Sequence, residues 1–129
     1  MIDADGFKGI NDKFGHEAGD NVLRELAKCL RRSVRNDDIV CRLGGDEFLI
    51  ICAYTDLPGA MKTAEKLRSE VSELRVRAGS GDWIGSVSVG VAQRSPEMKF
   101  EEELLKRADE GVYVAKNNGR DCVSTVQVF

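Results

Sequence analysis

The sequence predicts an α+β fold in which a mixed, mainly antiparallel sheet is flanked by helices in a ferredoxin-like arrangement. Three observations lead to this prediction. Apolar segments at 39–43 and 48–52 flank a Gly-Gly turn, which is typical of a β-hairpin. Segments with helical periodicity precede the hairpin, and helix and strand patterns alternate after it. This order of elements favours one sheet with helices packed on it.

The first third of the chain predicts a strand and two helices. The opening stub at 1–3 is shorter than a typical strand of about five residues, so we expect the chain to begin inside its first strand. Apolar residues recur at helical spacing over 6–14, where Gly15 can close a short helix. A longer helix follows, with an apolar stripe that extends from Val22 to Val34.

The hairpin and the second half of the chain supply the remaining elements. Apolar and polar residues alternate over 39–43, whereas 48–52 is continuously apolar and predicts a buried strand. Asp56 is a suitable N-cap for a helix whose stripe extends from Leu57 to Leu74. A loop is predicted at 79–81, and alternating valines at 87–91 predict a strand with one small-residue face. A last helix over 104–115 stops at 117–119, and Val123 to Val128 predict a closing strand.

Composition limits the classes of function. A chain of 129 residues is the size of one domain, and 19 basic against 22 acidic residues give a net charge of −3. We therefore expect no binding to DNA, RNA or an anionic membrane surface through overall charge. No apolar stretch approaches the length of a membrane span. The cysteines lack the spacing of zinc or redox sites, and we expect reduced core residues of a cytoplasmic protein at Cys29, Cys41, Cys52 and Cys122.

Asp46 and Glu47 are adjacent carboxylates at the predicted tip of the hairpin. Neighbouring anions repel one another, so the pair favours a site for hard cations with oxygen ligands. A second acidic cluster, Asp3-Ala4-Asp5, follows the opening stub and could supply the other half of such a site. The alternative interpretation is a solvated acidic turn.

Several motifs occur in a fixed order along the chain. They are Asp3-x-Asp5-x-Phe7-Lys8-x-Ile10-Asn11-Asp12, Gly15-His16-x-x-Gly19-Asp20, Gly44-Gly45-Asp46-Glu47-Phe48, Ser88-x-Gly90-Val91-Ala92, Ala108-Asp109 and Ala115-Lys116-x-x-Gly119-Arg120. Together they span nearly the whole chain, which resembles the GGDEF family of diguanylate cyclases. The resemblance implies a fold of the nucleotidyl cyclase palm type. It also implies an enzyme that condenses two GTP molecules into cyclic di-GMP with release of pyrophosphate.

That chemistry requires a 3′ hydroxyl to be acidified and pyrophosphate to be neutralised, tasks that paired Mg²⁺ ions perform. By resemblance, Asp3, the backbone carbonyl of Ala4 and Asp46 bind metal. Glu47 is a second-metal ligand or a base, so the catalytic assignment is Asp46 and Glu47. Two ions per active site are implied, and Mn²⁺ suits the same oxygen ligands. His16 is the single histidine, and we interpret it as structural rather than as a base.

Asn11 and Asp20 match the family positions that read guanine. An amide and a carboxylate side by side can pair with the donors and acceptors on the edge of this base. The alternatives are a turn asparagine and an N-cap aspartate that opens a helix at Asn21.

The triphosphate has two sets of candidate contacts. The amide groups of Gly6, Phe7 and Lys8 open the first helix, whose positive end suits phosphate oxygens. Past the last helix, Lys116 and Arg120 resemble the family's phosphate contacts. Without the motif context they would be ordinary cations near a helix C-terminus.

A product-inhibition site of the RxxD type is implied by Arg35 and Asp38, which precede Gly44 at the family's spacing. Arg35 can lie on a guanine base and donate to it, while Asp38 accepts from it. Where many relatives have a further arginine in the next helix, this chain has Lys66, which lacks the planar guanidinium fork.

The family resemblance also implies partners. We expect GTP as substrate, cyclic di-GMP as product and inhibitor, a homodimer for turnover, and an upstream sensory or regulatory domain. The chain is expected to be a single GGDEF domain over 1–129 that lacks its opening helix and most of its first strand. A cytoplasmic location is expected, and a membrane-anchored parent protein is compatible with it. The alternative function is a weak or inactive module that binds cyclic di-GMP or GTP, because of the missing segment.

Overall fold

The computed structural model describes residues 1–128. Over these residues the chain forms four helices and seven strands. In chain order they are β1 (Ile2–Ala4), α1 (Phe7–Phe14), α2 (His16–Ser33), β2 (Ile39–Gly44), β3 (Glu47–Ile51), α3 (Leu57–Ser72), β4 (Arg75–Ala78), β5 (Gly81–Ile84), β6 (Val87–Gly90), α4 (Glu101–Asn117) and β7 (Cys122–Ser124).

Five strands form one sheet in the order β2-β3-β1-β6-β7, and β4 pairs with β5 in a separate hairpin. All neighbours in the large sheet are antiparallel except β6 and β7, which are parallel. The predicted α+β fold with a mixed, mainly antiparallel sheet is therefore confirmed. The three-residue strand β1 lies at the centre of the sheet, so the residues that follow it are held between the β2–β3 hairpin and β6.

The core forms where α2 and α3 pack on each other and on the sheet. Val22, Leu26 and Leu30 of the predicted α2 stripe are fully buried, as is Val71 of α3. The side chain of Asp56 accepts from the amide of Gly59 at 2.9 Å and so caps α3 as the sequence predicts. No helix within residues 1–128 combines the length and the hydropathy that crossing a bilayer requires.

The β4–β5 hairpin is absent from the sequence prediction, which gave only a loop at 79–81. In the structure this loop is the turn of a hairpin in which Ala78 pairs with Gly81. Along β4, Val76 and Ala78 are buried, while Arg75 and Arg77, which alternate with them, are exposed. This alternation around a Gly-Ser turn is the signal that would have identified the hairpin.

Two strand predictions are wrong in extent or burial. The closing strand covers Cys122–Ser124 rather than 123–128, because its partner β6 ends at Gly90, which pairs with Ser124. The continuously apolar strand β3 is not buried throughout. Ile51 and its cross-strand partner Ile39 are 49% and 55% exposed, and α4 packs mainly on β6 and β7 rather than on their strands.

The cysteine prediction holds in part. All four cysteines are free thiols, but only Cys29 is buried, and the other three are half-buried. Burial is the main cause that raises the pKa of Cys29, so this thiol stays protonated at neutral pH.

Candidate active site

Two acidic segments from neighbouring strands meet at the centre of the sheet. Asp3 of β1 is the cross-strand partner of Glu47 of β3, and the amide of Ala4 donates to the carbonyl of Asp46 at 3.1 Å. Burial, followed by the nearby carboxyl of Asp3, raises the pKa of Asp46 to about 6. The fold thus places an anionic pair where the two strands lie side by side.

Lys116 supplies positive charge beside this pair. Its ammonium group contacts Oδ2 of Asp3, and this contact raises the pKa of Lys116, so the side chain remains a cation. From the sequence, Lys116 is predicted to lie past the last helix. It lies instead in the last turn of α4, while Arg120 follows in the loop and is exposed.

Close packing of α4 on β6 brings Lys116 within reach of Asp3. A Cβ atom on Gly90 would lie 1.9 Å from the carbonyl oxygen of Ala108, and one on Gly111 would lie 2.8 Å from the Cα of Gly90. Only glycine allows helix and strand to approach this closely. The small-residue face predicted for this strand therefore has a role: it seats the helix that carries the lysine.

The turn that carries Asp46 is held by Arg42. Its Nε and one terminal nitrogen donate to the carbonyl of Gly45 at 3.0 and 2.7 Å. Gly44 and Gly45 have φ values of 149° and 51°, a region in which side chains are disfavoured. The two glycines let the chain turn tightly, and the guanidinium fixes the turn, so Asp46 has a defined direction.

The oxygen donors fit a divalent cation of the Mg²⁺ type. They are the carboxylates of Asp3 and Asp46 and the carbonyl of Ala4, and burial together with the neighbouring carboxyl of Asp3 raises the pKa of Asp46. Within residues 1–128, no third acidic, histidine or cysteine side chain completes a compact cluster with them. Such a donor set is typical of a cation that also binds water or substrate oxygens.

A cavity of about 150 Å³ opens beside the acidic pair, between α4 and the hairpin. Glu47 is exposed at its rim rather than joined to Asp3 and Asp46 in one cluster. The cavity is lined by Met1, Asp3, Glu47, Asp109, Val112, Tyr113 and Lys116. The sequence gives no signal for Tyr113, because its position in the helix pattern predicts only an exposed surface residue.

Asn11 and Asp20 lie on two helices that pack together. A Cβ atom on Gly19 would lie 1.8 Å from Oδ1 of Asn11, so this glycine makes room for the amide. Oδ1 of Asn11 is buried and has no hydrogen-bond partner within residues 1–128. A buried acceptor without a partner is costly, which makes Asn11 a candidate for binding a ligand donor. Asp20 lies inside α2, which begins at His16, so the N-cap alternative for Asp20 is wrong.

A second cavity, of about 450 Å³, lies between α2 and the β2–β3 hairpin. Its lining combines Asp20 with apolar and basic side chains, namely Leu23, Arg24, Ala27, Val40, Cys41, Arg42 and Phe48. Sequence reasoning missed Arg42 and Phe48 here. Arg42 and Phe48 are cross-strand partners and lie on one face of the hairpin, which the strand pattern in the sequence indicates. That pattern does not indicate that α2 lies opposite this face.

The turn between β1 and α1 presents backbone amides. Gly6 has a φ of 76° and is the N-cap of α1, which has no side-chain cap. The first amides of a helix have no partner within that helix. Phe7 is buried and anchors the turn, while Lys8 is exposed. The first of these amides, that of Gly6, is therefore only two residues after Ala4 and three after Asp3 in the chain. His16 lies exposed at the start of α2.

Arg35 and Asp38 form a tight turn after α2. Oδ2 of Asp38 accepts from the amide of Arg35 at 3.0 Å and lies 4.0 Å from its Nε. Asp38 is buried, whereas the Arg35 side chain is 70% exposed and donates to the hydroxyl of Thr55 at 3.2 Å. The structure brings these two predicted residues together, with the arginine open to solvent.

Lys66 is on the neighbouring helix α3. Its ammonium group lies 4.0 Å from Oε1 of Glu70, and Glu70 also accepts from the hydroxyl of Ser33 in the last turn of α2. Lys66 therefore lies on the side of α3 that faces the end of α2. Its recorded ion pair is with Glu70 rather than with Asp38.

Residues 1–122 match the protein-family model described as "Diguanylate cyclase, GGDEF domain". Response regulator PleD of Caulobacter vibrioides is 47% identical over 125 residues, which are 95% of this chain and 28% of PleD. The GGDEF domain of YfiN from Pseudomonas aeruginosa superposes with a TM-score of 0.88 at 33% identity, covering 99% of this chain and 80% of that one. The GGDEF domain of DgcB from Caulobacter crescentus, solved in complex with c-di-GMP, gives a TM-score of 0.86 at 35% identity, covering 95% and 73%.

Proposed function

Because the chain belongs to the GGDEF domain family of diguanylate cyclases, we propose that it condenses two GTP molecules into cyclic di-GMP and releases pyrophosphate. The observation that carries this proposal is the meeting of Asp3, Asp46 and Lys116 at the centre of the sheet. The chain spans only 28% of the length of PleD, so the activity and partners of a whole protein are part of the proposal.

Asp3, Asp46 and the carbonyl of Ala4 would hold the cations, with Glu47 as a ligand or base at the rim of the cleft. Bound Mg²⁺ or Mn²⁺, as two ions per site, would supply acidity to a 3′ hydroxyl and neutralise charge on the leaving pyrophosphate. The contribution of the protein is to keep two carboxylates close together. The raised pKa of Asp46 supports this role, because burial and the carboxyl of Asp3 both disfavour its negative charge, which a bound cation would stabilise.

Lys116, Arg120 and the amides of Gly6, Phe7 and Lys8 would bind the triphosphate. The amides lie at the N-terminus of α1, and Lys116 is already beside the acidic pair. Amides and cationic side chains of this kind are suited to a substrate whose phosphates bridge metal and protein.

Asn11 and Asp20 would select guanine. Asp20 lines the cavity between α2 and the hairpin. The unpaired buried Oδ1 of Asn11 lies close to Gly19, the residue before Asp20. The N–H groups of guanine can donate to both oxygens, whereas adenine presents a different pattern of donors and acceptors.

Turnover requires two nucleotides to face one another, so we propose that two copies of the chain act together. Each copy would present one GTP from the open side of its acidic cleft. The rate should then depend on protein concentration, and an upstream domain that pairs the copies would raise it.

A second candidate function is binding of cyclic di-GMP without turnover. It is favoured by one observation, the exposed guanidinium of Arg35 beside the buried carboxylate of Asp38. In an active enzyme the same pair, with Lys66, would be the product-inhibition site. The DgcB domain with its bound c-di-GMP supports binding of this nucleotide in the family.

One assay separates the two functions. Purified protein is incubated with GTP and Mg²⁺, the products are resolved by chromatography, and cyclic di-GMP is then titrated into fresh protein. Turnover by the wild type that is lost in Asp46→Ala supports the enzyme, and binding alone supports the module. The matched control is Asp82→Ala, an exposed aspartate on β5. Product formation by Asp46→Ala at the wild-type rate would overturn the assignment.

A further inference from the structure

Asp5 is bonded through its backbone and its carboxylate to three other parts of the fold. Its amide donates to the carbonyl of Ser86 at 2.9 Å, and its carbonyl accepts from the indole N–H of Trp83 at 2.9 Å. Oδ1 accepts from the hydroxyl of Ser88 at 2.7 Å. Oδ2 accepts from the hydroxyl of Ser86 at 2.6 Å and from the amide of Asp121 at 3.1 Å.

The position of Asp5 in the chain gives this network its importance. Asp5 lies between the candidate cation donors, Asp3 and Ala4, and the amide-bearing turn that begins at Gly6. Gly6 has a φ of 76°, so the chain changes direction directly after Asp5. Hydrogen bonds that fix both peptide groups of Asp5 therefore fix the angle between the cation donors and the phosphate-binding amides.

The bond to Asp121 extends this control to the loop after α4. Arg120 and Asp121 have φ values of 64° and 46°, a left-handed conformation that is unfavourable for residues other than glycine. The loop keeps this conformation because two contacts hold Asp121: its amide donates to Asp5, and its carboxylate pairs with Arg68 at 3.1 Å. Arg120 is the residue between α4 and this anchored position.

Resting on the proposed function, we propose that Asp5 is a positioning residue of the active site. Its carboxylate holds the cation donors of β1, the amides before α1 and the Arg120 loop in one fixed arrangement. Asp5 itself makes no contact with substrate in this role. The residue acts through the peptide groups beside it and through the amide of Asp121.

A carboxylate is required because of the direction of the hydrogen bonds. The amide of Asp121 can only donate, so the group that faces it must accept. In Asp5→Asn, the amide oxygen would face Asp121 and Ser86, and the amide nitrogen would face Ser88. The Ser88 hydroxyl can turn to accept, but its own proton then loses its acceptor in a fully buried site. Asparagine should therefore keep the loop anchored at a reduced stability, whereas alanine should release it.

The test measures binding rather than turnover. The probe is α,β-methylene GTP with Mg²⁺, an analogue that cannot release pyrophosphate, and affinity is read by calorimetry. We expect Asp5→Ala to weaken binding at least about tenfold, in the range typical of residues that orient metal ligands, and Asp5→Asn to weaken it less. Trp83 is the one tryptophan of the chain, so its emission reports directly on the loss of the Asp5 carbonyl contact.

Asp56→Ala is the matched control, because it removes an aspartate that caps α3 and has no bond to this network. It should lower the melting temperature through loss of the helix cap and leave analogue binding unchanged. A folded Asp5→Ala protein that binds within about twofold of the wild type would overturn the inference. If Asp5→Ala does not fold, the double variant Ser86→Ala, Ser88→Ala decides by the same criterion.

Failure of this inference and failure of the proposed function give different results. A wild type that binds the analogue but makes no cyclic product overturns the proposed function and leaves the binding comparison valid. A wild type that makes product, with Asp5→Ala binding equally well, overturns only the inference. A wild type that does not bind the analogue overturns both.

Discussion

Lys116 of α4 and Asp3 of β1 form an ion pair across the face of the sheet on which α4 packs. The side chain of Asp3 is 12% exposed in this pair and that of Lys116 is 38% exposed. The ammonium group therefore occupies one side of a carboxylate that the proposed cation also needs. In the proposed function, lysine and cation would compete for Asp3 before substrate binds, and both would face the triphosphate afterwards.

This competition predicts opposite effects for Lys116→Ala. Without nucleotide, the variant should bind Mg²⁺ a few-fold more tightly than the wild type, because Asp3 no longer has a protein cation beside it. With nucleotide, the affinity for α,β-methylene GTP should fall about tenfold, since one charge-assisted contact is lost. Arg120→Ala in addition should weaken the analogue further. Calorimetry measures both affinities.

Lys106→Ala is the control, because Lys106 is an exposed lysine on the same helix. It should change neither affinity. Weaker Mg²⁺ binding by nucleotide-free Lys116→Ala would contradict the proposed competition and would show that Lys116 orients Asp3 for the cation.

The raised pKa of Asp46 predicts a pH-dependent effect of Asp46→Asn on stability. The pKa is about 6 in the folded chain, against 3.8 for an unperturbed aspartate side chain, so the folded state binds this proton more tightly than the unfolded state does. The contribution of this proton to the stability of the wild type is therefore lost as pH rises from about 4 to about 6. The asparagine variant, which has no such proton, should be more stable than the wild type at pH 8 and equal to it below pH 4.

Thermal unfolding without divalent cations measures this difference, and added Mg²⁺ should raise the melting temperature of the wild type but not that of Asp46→Asn. Asp82→Asn makes the same chemical change on the exposed face of β5 and serves as control. A stability difference that is constant from pH 4 to pH 8 would show that the proton on Asp46 is not its cause.

Much of this site is encoded locally in the sequence. The Gly-Gly turn, the carboxylates that follow it and the helix stripes are features of neighbouring residues, and the structure places them as those patterns indicate. The β4–β5 hairpin was missed because its strands have four residues each and lie between stronger helix and strand patterns. Contacts between residues far apart in the chain could not be predicted from these local patterns. Nothing in the spacing of Asp5, Ser86 and Asp121 shows that they share hydrogen bonds, because 116 residues separate Asp5 from Asp121.

Gly19 and Gly9 form a matched pair that tests the packing behind Asn11. Gly19→Ala would put a Cβ atom 1.8 Å from Oδ1 of Asn11 and 3.1 Å from the ring of Phe7, both on α1. We expect a loss of about 1–3 kcal/mol in the free energy of unfolding from this overlap. We also expect a reduced preference for GTP over ATP, because the displaced Asn11 no longer meets the base.

Gly9→Ala is the opposite case. Gly9 is on α1 with no atom within 4 Å of its added Cβ, so alanine should stabilise the helix by about 0.5–1 kcal/mol. Chemical denaturation gives both energies, and competition between GTP and ATP analogues gives the preference. A Gly19→Ala protein as stable as the wild type would mean that Asn11 can move away without cost, and the link between packing and base selection would fail.

The turn formed by Arg35 and Asp38 predicts how cyclic di-GMP binds. The guanidinium of Arg35 is mostly exposed while Asp38 is buried, so arginine offers the larger surface to a base. Arg35→Ala should weaken binding of cyclic di-GMP about tenfold or more, because both stacking and charge-assisted bonds are lost. Lys66→Arg should strengthen it, since a guanidinium adds the planar fork that lysine lacks and can still pair with Glu70.

Lys62→Arg is the control for the second change, because Lys62 is exposed one turn earlier on α3. Titration calorimetry measures the three affinities. Equal binding by Lys66→Arg and the wild type would place the nucleotide away from α3 and confine the site to the turn after α2. Unchanged binding by Arg35→Ala would exclude the turn as the binding site. The exposed arginine would then be only a solvated residue at the end of α2.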